Sequence, residues 1–194
     1  MKIKSISCGD FHSAAIDEFG SYYAWGSNYE GQLGVNYYQD RFTPEKVLQS
    51  YENELKSAKI IYVRCGPRFT GIINRDNNLY MSGKNKFGVL GLDINRQTYT
   101  QFEKVKQINN VGAIACGGYH VLAIDKEKKN LFSWGWNQMG QLGSGSSEKG
   151  ENPDDLSIKK VFSLKNDENN SEILQIEAGM VHSALLVPLN IYNR

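Results

Sequence analysis

The stretch WGSNYEGQLG, Trp25 to Gly34, places three glycines within ten residues and sets Leu33 directly before the last of them. The pattern returns as SGKNKFGVLG (Ser82 to Gly91) and as WGWNQMGQLG (Trp134 to Gly143). A spacing of roughly 55 residues between copies marks a repeat architecture, in which a unit too small to bury its own apolar face stacks against its neighbours.

Each copy is preceded by an apolar segment that runs into a glycine. These openings are ISCGDFHSAAI (Ile6 to Ile16), VRCGPRFTGII (Val63 to Ile73), IACGGYHVLAI (Ile114 to Ile124) and, for a fourth unit, IEAGMVHSALL (Ile176 to Leu186). They align without a gap. Gly9, Gly66, Gly117 and Gly179 form one column, and Cys8, Cys65, Cys116 and Ala178 form the column before it. All three histidines of the chain, His12, His120 and His182, share a third column, where Phe69 takes the remaining place. A polar turn and a short aromatic strand follow at 21–26, 78–83 and 130–135, so that Tyr23, Tyr80 and Phe132 correspond. Beyond the glycine-rich passage come loops of unequal length and a strand carrying Lys46-Val47, Lys104-Val105 or Lys160-Val161.

The periodicity is that of strands. SAAI, GIIN, VLAI and SALL are short, apolar and bounded by turn residues, with no long amphipathic spacing. One helical turn is expected around Ser50 to Lys59. Four short strands in ~50 residues, repeated, predict an all-β fold of β-propeller blades, each of four antiparallel strands. The chain reads as a single repeat domain over 1–194, with repeats at about 1–57, 58–108 and 109–168 and a half repeat at about 169–194. About three and a half blades are expected, as an open arc or a small closed ring of four; the arc is favoured because the first repeat already owns four strands and leaves none to finish the last. The glycines after the third strand allow tight turns. Leu33, Leu90 and Leu142 plug the gaps between blades, and the glycine after the cysteine column permits close backbone approach near the axis. Thirteen of the nineteen glycines lie in these four columns, so glycine is architectural here. No Lys-Ser or Lys-Thr pair follows any of them, against a phosphate-cradling loop.

Composition narrows the function classes. The 194 residues carry 22 basic and 21 acidic side chains for a net charge of +1, which favours neither a nucleic-acid groove nor a membrane-surface helix. No apolar run approaches the ~20 residues of a membrane span, MKIKSISCGD does not read as a secretory signal, and PLNIYNR carries no lipidation box. Three cysteines at equivalent repeat positions are free thiols of a reducing, intracellular compartment. Asparagine-, lysine- and tyrosine-rich loops hint at an AT-rich genome and at cytoplasm or cilium.

The joined pattern Ile-x-Cys-Gly-x-x-His-x-x-Ala-(Leu/Ile), a turn, then Tyr-x-Trp-Gly-x-Asn-x-x-Gly-Gln-Leu-Gly resembles the regulator of chromosome condensation (RCC1-like) repeat, over three repeats and half of a fourth. The resemblance implies a propeller, in this family usually of seven blades. Seven would need about 350 residues at this repeat length. Repeat 2 departs from the pattern at Phe69, Ser82 and Val89, which stand where the other copies have histidine, tryptophan and glutamine. Resemblance to the founding member implies nucleotide exchange on a small GTPase and chromatin binding, through one face of a complete ring and a wedge-like insertion. Neither maps onto this chain, and many relatives serve as interaction platforms.

No catalytic, metal or cofactor site is expected. Equivalent positions on neighbouring blades lie ~10 Å or more apart, since stacked sheets already do. Zinc needs every ligand within ~2.1 Å of itself. The histidines instead bond to backbone across a blade turn, with their rings filling the space between sheets. No nucleophile elbow and no cysteine–histidine pair outside the repeat columns is present. Asp10, Asp154 and Asp155 fall in turns or loops, and Asp17 and Asp125 make turns. Trp25 and Trp134 belong to the core, whereas Trp136 lies off-column as a contact candidate.

The expected function is a non-enzymatic protein-binding scaffold, a subunit of a larger assembly. It presents the loops Asn36 to Thr43, Asp93 to Gln101 and Ser144 to Asp155, with NDENNSE (Asn166 to Glu172) bulging into solvent. The blade edge at Met180 to Val187 stays open for a protein partner or for the tail Leu189 to Arg194, with contacts at Trp136, Met180, His182 and Leu185. The alternative is a guanine-nucleotide exchange factor or effector of a small GTPase; a third possibility puts the remaining blades on another chain.

Overall fold

The computed structural model describes residues 2–47, 54–145, 157–164 and 171–188. Three four-stranded antiparallel sheets follow one another, each with its strands in sequence order. Blade 1 holds β1 (Ile3–Cys8), β2 (His12–Asp17), β3 (Tyr22–Gly26) and β4 (Arg41–Lys46). Blade 2 holds β5 (Ile60–Cys65), β6 (Phe69–Asn74), β7 (Leu79–Lys84) and β8 (Thr98–Lys104). Blade 3 holds β9 (Val111–Cys116), β10 (His120–Asp125), β11 (Asn130–Gly135) and β12 (Lys159–Ser163). A two-stranded sheet of β13 (Gln175–Ala178) and β14 (Ser183–Leu186) completes the series as a half blade. The register repeats with the sequence columns. His12, Phe69 and His120 face Gly26, Gly83 and Gly135, while Tyr23, Tyr80 and Phe132 face Lys46, Lys104 and Lys160.

Turn chemistry sets the blade outline. Asp17, Asn74 and Asp125 each end a second strand and fold a side-chain oxygen back onto two backbone N–H groups. Asp17 Oδ1 accepts from Phe19 and Ser21 at 2.9 and 2.8 Å, and Asn74 Oδ1 accepts from Asp76 and Asn78 at 3.1 and 3.0 Å. Asp125 Oδ1 accepts from Lys129 and Asn130 at 2.8 and 3.1 Å. Asx turns of this kind are why a short polar acid or amide recurs there. Within the glycine-rich passage Asn28, Asn85 and Asn137 accept from the N–H of Leu33, Leu90 and Leu142 at 3.0, 3.1 and 3.0 Å. That clasp closes the turn. The glycine ending each third strand has φ of +100°, +109° and +99° at Gly26, Gly83 and Gly135, a region closed to residues with a Cβ.

Two loops are shorter than expected, because Arg41 to Thr43 already belong to β4 and Thr98 to Gln101 to β8. There the outer strand is held by pairing that composition does not reveal, including a bridge from Val35 of repeat 1 to Gln101 of blade 2. The helical turn near 50–59 is a 3₁₀ turn at Glu54–Ser57. The expectations for most of Ser144 to Asp155 and of Asn166 to Glu172, and for the tail Leu189 to Arg194, lie outside the described residues.

Apolar clusters fill the spaces between successive sheets. Leu33 is buried with Val63, Ile72, Tyr80 and Phe102 of blade 2, and Leu90 with Ile114, Val121, Ala123 and Trp134 of blade 3. A third cluster joins Leu122, Ile124 and Leu131 to Ile173 and Ile176 of the half blade. The arc is open. Ile6 on the outer side of blade 1 is 68% exposed and Leu186 on the outer side of the half blade 53%.

The column of Gly9, Gly66, Gly117 and Gly179 is explained by crowding. A Cβ on Gly117 would lie 2.2 Å from the His120 ring and 2.7 Å from the Gly179 carbonyl; on Gly66 it would lie 2.3 Å from the Phe69 ring. The ring three residues on crowds each of these glycines, and the next blade's backbone carbonyl also closes in on Gly9 and Gly117. Gly117→Ala is expected to lower unfolding free energy by about 1–3 kcal/mol through forced displacement of that ring, measured by urea denaturation.

Candidate functional site: blade interfaces and the uncovered edge

The histidine column links blades through hydroxyl groups. His12 Nε2 meets Thr70 Oγ1 of blade 2 at 2.7 Å, and Thr70 Oγ1 donates to the Gln32 carbonyl of repeat 1 at 2.7 Å. His120 Nε2 meets Ser183 Oγ of β14 at 2.9 Å, and that hydroxyl donates to the Gln141 carbonyl at 2.7 Å. Contact with backbone is therefore relayed through a neighbouring hydroxyl and not made directly across a turn, which corrects the sequence-based expectation. A hydroxyl has one proton. Since the carbonyl takes it, Nε2 must carry a proton and donate. The ring is then a neutral Nε2–H tautomer, and Nδ1 of both histidines is buried without a hydrogen-bond partner. This arrangement has the members of a Ser–His dyad with the proton in the wrong place for base catalysis. Burial lowers the pKa of His12 and of His120 from 6.5 to about 4.

Phe69 breaks the column together with its neighbours. Opposite it, in the Thr70 and Ser183 position, blade 3 carries Val121, so an apolar ring meets an apolar side chain. The carbonyl that Thr70 or Ser183 serves elsewhere belongs here to Val89, and Trp134 Nε1 donates to it at 2.9 Å. Repeat 2 has Ser82 in the tryptophan position, where Thr70 already serves Gln32. One carbonyl per interface receives one donor, from either of two cross-strand partners.

Along the rim of each interface runs a second matched set. Glu30 meets Arg68 at 3.3 Å and Lys84 at 2.6 Å between blades 1 and 2. At the same positions between blades 2 and 3, Phe87 packs edge-on to Tyr119 (centroids 5.5 Å) and stacked on Trp136 (5.9 Å), with the Lys86 ammonium 4.8 Å above the Phe87 ring. Between blade 3 and the half blade the set is Met139 and Val181, 67% and 42% exposed, with no third strand beside them among the described residues. Below them lies an open groove of about 430 Å³, lined by Leu122, Leu131, Leu142, Val161, Phe162 and Leu185 among others.

The other end is also uncovered. In blade 1 Ile6 and Cys8 are exposed and Trp25 half-buried, whereas in the same columns Val63, Cys65 and Ser82 of blade 2 and Ile114 and Trp134 of blade 3 are buried. Trp134, with a blade on either side, is fully buried, so the expectation that Trp25 is core fails for want of a preceding blade. Trp136 is half-buried against Phe87, and Met180 and His182 are exposed. Leu185 is partly buried on the third cluster. Asp10 is exposed, and Asp154 and Asp155 lie outside the described residues. All three cysteines are free, and the described residues contain no cluster of His, Cys, Asp or Glu able to hold a metal ion. No helix among them is long and apolar enough to cross a membrane. Sequence reasoning missed the Asn28, Asn85, Asn137 column, the Thr70, Ser183 hydroxyls and the Glu30, Phe87, Met139 rim. Each lies on a gapless column and was legible as such, but its chemistry needed a neighbouring blade.

Sheets that repeat in register and bury their faces only on one another define a repeat protein of β-propeller blades. The chain belongs to the regulator of chromosome condensation (RCC1) repeat family, whose profile matches residues 20–73, 76–124 and 130–186, with a second profile of the same repeat at 3–32 and 113–141. It is 33% identical over 193 residues to the ultraviolet-B receptor UVR8 of Arabidopsis thaliana, covering 96% of this chain and 39% of the receptor. It is 31% identical to the probable E3 ubiquitin-protein ligase HERC6 of Homo sapiens, over 93% of this chain and 17% of the ligase. The chain thus spans two fifths or less of these relatives. Among solved structures, human WBSCR16 superposes with a TM-score of 0.78 at 21% identity, covering 95% of this chain and 45% of that one. Yeast RCC1 (Prp20), solved bound to Kap60, superposes with a TM-score of 0.72 at 21% identity, covering 95% and 41%. The fold is that of a protein-interaction domain.

Two measurements check the geometry. With histidine pKa values lowered on folding, the unfolded chain binds the extra protons. Stability is expected to be insensitive to these groups above pH 6.5 and to fall between pH 6.5 and 4, by about 3 kcal/mol for His12 and by less for His120. Denaturation of the parent beside His12→Gln should show the smaller acid loss in the variant. Thiol chemistry reads the faces: burial raises Cys65 to about 12 and raises Cys116 as well. Exposed Cys8 is expected to react rapidly with a maleimide, half-buried Cys116 slowly, and buried Cys65 only on unfolding.

Proposed function

We propose that the chain is a protein-binding module that acts through shape, holding a partner with its inter-strand loops and with the open edge of the half blade. The observation that supports this most is the half blade itself, whose β14 edge has no third strand beside it among the described residues and adjoins an apolar groove. An exposed edge of this kind is a template for a further strand. The partner contacts assigned to it are Met180, His182 and Leu185, with Trp136 on the adjoining rim. Placement in cytoplasm or cilium rests on composition alone. The reading takes no cofactor and no nucleic acid.

The second reading, exchange or effector action on a small GTPase, draws on the structural likeness to Prp20p of Saccharomyces cerevisiae (TM-score 0.71, 18% identity), whose report describes binding to Gsp1p and histones. At that identity the likeness extends to fold. Release of labelled GDP from purified small GTPases of the Gsp1p kind is expected to change by less than about twofold with this chain present. A tenfold acceleration would transfer the case to exchange. For the module reading, a photo-crosslinker at exposed Tyr38 of the 36–40 loop or at Val181 is expected to capture a protein partner in cells; silence at both positions sinks it.

A further inference from the structure

Resting on the protein-binding reading but on a different surface, we infer that the rim between blades 2 and 3 docks an acidic segment of a protein partner. A carboxylate of that segment sits on the Lys86 ammonium, and an apolar side chain two residues on packs against Phe87 and Trp136. Lys86 fixes the sign of the charge. Its ammonium stands 4.8 Å from the centroid of the Phe87 ring and 5.4 Å from that of Tyr119. The side chain is exposed, yet no carboxylate pairs with it among the described residues. The preceding interface shows the contrast. There Glu30, in the Phe87 column, is buried and meets Lys84 at 2.6 Å and Arg68 at 3.3 Å, so the charge is answered within the chain. Between blades 2 and 3 aromatic residues hold all three of those columns, and the cation beside them is left for an anion from outside. The other carboxylate of this rim, Asp10, lies on the blade 1 side, where its backbone N–H meets the Pro67 carbonyl at 3.3 Å. Arg68, Lys84 and Lys86 therefore outnumber the acids, and an acidic partner is the complementary one.

The backbone is bent to present this floor. Phe87 has φ +59° and ψ 26°, in the left-handed region that a bulky side chain seldom enters, and neither Glu30 nor Met139 in the same column shares it. Backbone held there persists only where its surroundings over-determine it, and such positions gather at ligand clamps. What holds Phe87 is its ring, edge-on to Tyr119 at 83° and near-parallel to Trp136 at 24°. Trp136 is anchored in turn, its N–H donating to the Tyr119 carbonyl at 2.8 Å. A cation resting on aromatic rings is attracted by their quadrupoles without being neutralised. The Lys86 charge stays available while its side chain is already positioned, which lowers the ordering cost of a charged contact. The ligand's spacing follows. In an extended segment alternate side chains share a face and lie ~6.4–6.8 Å apart. On that scale the Lys86 ammonium, the Phe87 ring and the Trp136 ring succeed one another, at 4.8 and 5.9 Å. The segment required reads acidic, any, aromatic or aliphatic.

The test titrates the full chain with the blocked peptide acetyl-Gly-Ser-Glu-Ser-Phe-Ser-Gly-amide, followed at the Trp136 indole N–H in NMR spectra of nitrogen-15-labelled protein. Exchanging the peptide's glutamate for glutamine, or its phenylalanine for alanine, is expected to weaken binding about threefold in each case. Lys86→Gln, a change at an exposed side chain, should weaken the parent peptide by the same factor. It should also make the glutamate and glutamine peptides nearly equal and flatten the salt dependence. Phe87→Gly accepts the left-handed backbone without strain, so the melting temperature is expected to hold or rise while affinity drops about fivefold. A lower melting temperature with unchanged affinity would assign Phe87 to structure alone and overturn the inference. So would the absence of any Trp136 shift, equal binding of the glutamine peptide by the parent chain, or unaltered binding by Lys86→Gln. Tighter binding of a trimethyllysine peptide of the same length overturns it too, and gives the rings to a cation. Crosslinking at Tyr38 and Val181 samples other surfaces, so capture there while this peptide fails leaves the protein-binding reading standing without this site.

Discussion

Each sheet of this chain has two apolar faces and only neighbouring sheets to cover them. Four strands with alternating side chains cannot pack on themselves, so the stability of every blade resides in the interface it makes with the next. Near the axis the approach is so close that a methyl group cannot be inserted between a glycine and the ring lying over it. The same closeness brings a histidine nitrogen onto the hydroxyl of the following blade and that hydroxyl onto a carbonyl of the histidine's own repeat. The bond count is small, but its members are buried and mutually dependent. A buried polar group left unpaired costs more than the paired group gains.

This dependence explains how repeat 2 tolerates three departures from the common pattern. With Phe69 in place of histidine, a hydroxyl on blade 3 would have lost its partner, and the residue there is Val121. With valine unable to donate, the Val89 carbonyl is served by Trp134. Ser82 is small where Thr70 has already taken the donor's role. The rim follows the same logic, charge against charge at Glu30 and aromatic against aromatic at Phe87. The interfaces are chemically distinct, although the backbones that form them are nearly the same.

Much of this was written in the columns. The glycines, the inner strands and the turn-making Asp17 and Asp125 follow from short-range rules acting on a repeated pattern. A turn that needs positive φ announces itself through glycine. These features need no knowledge of what lies across an interface.

Tertiary structure alone decided what each column does. Trp25 and Trp134 occupy the same column of the repeat, yet one is half-buried and the other fully buried, because only the second has a described blade before it. Cys8 differs from Cys65 for the same reason. His12 and His120 carry an Nε2 proton because a hydroxyl from some sixty residues away gives its own proton to a carbonyl, a fact no local spacing contains. Periodicity names the repeating unit; only the stacking of units says which of its faces meets protein and which meets water.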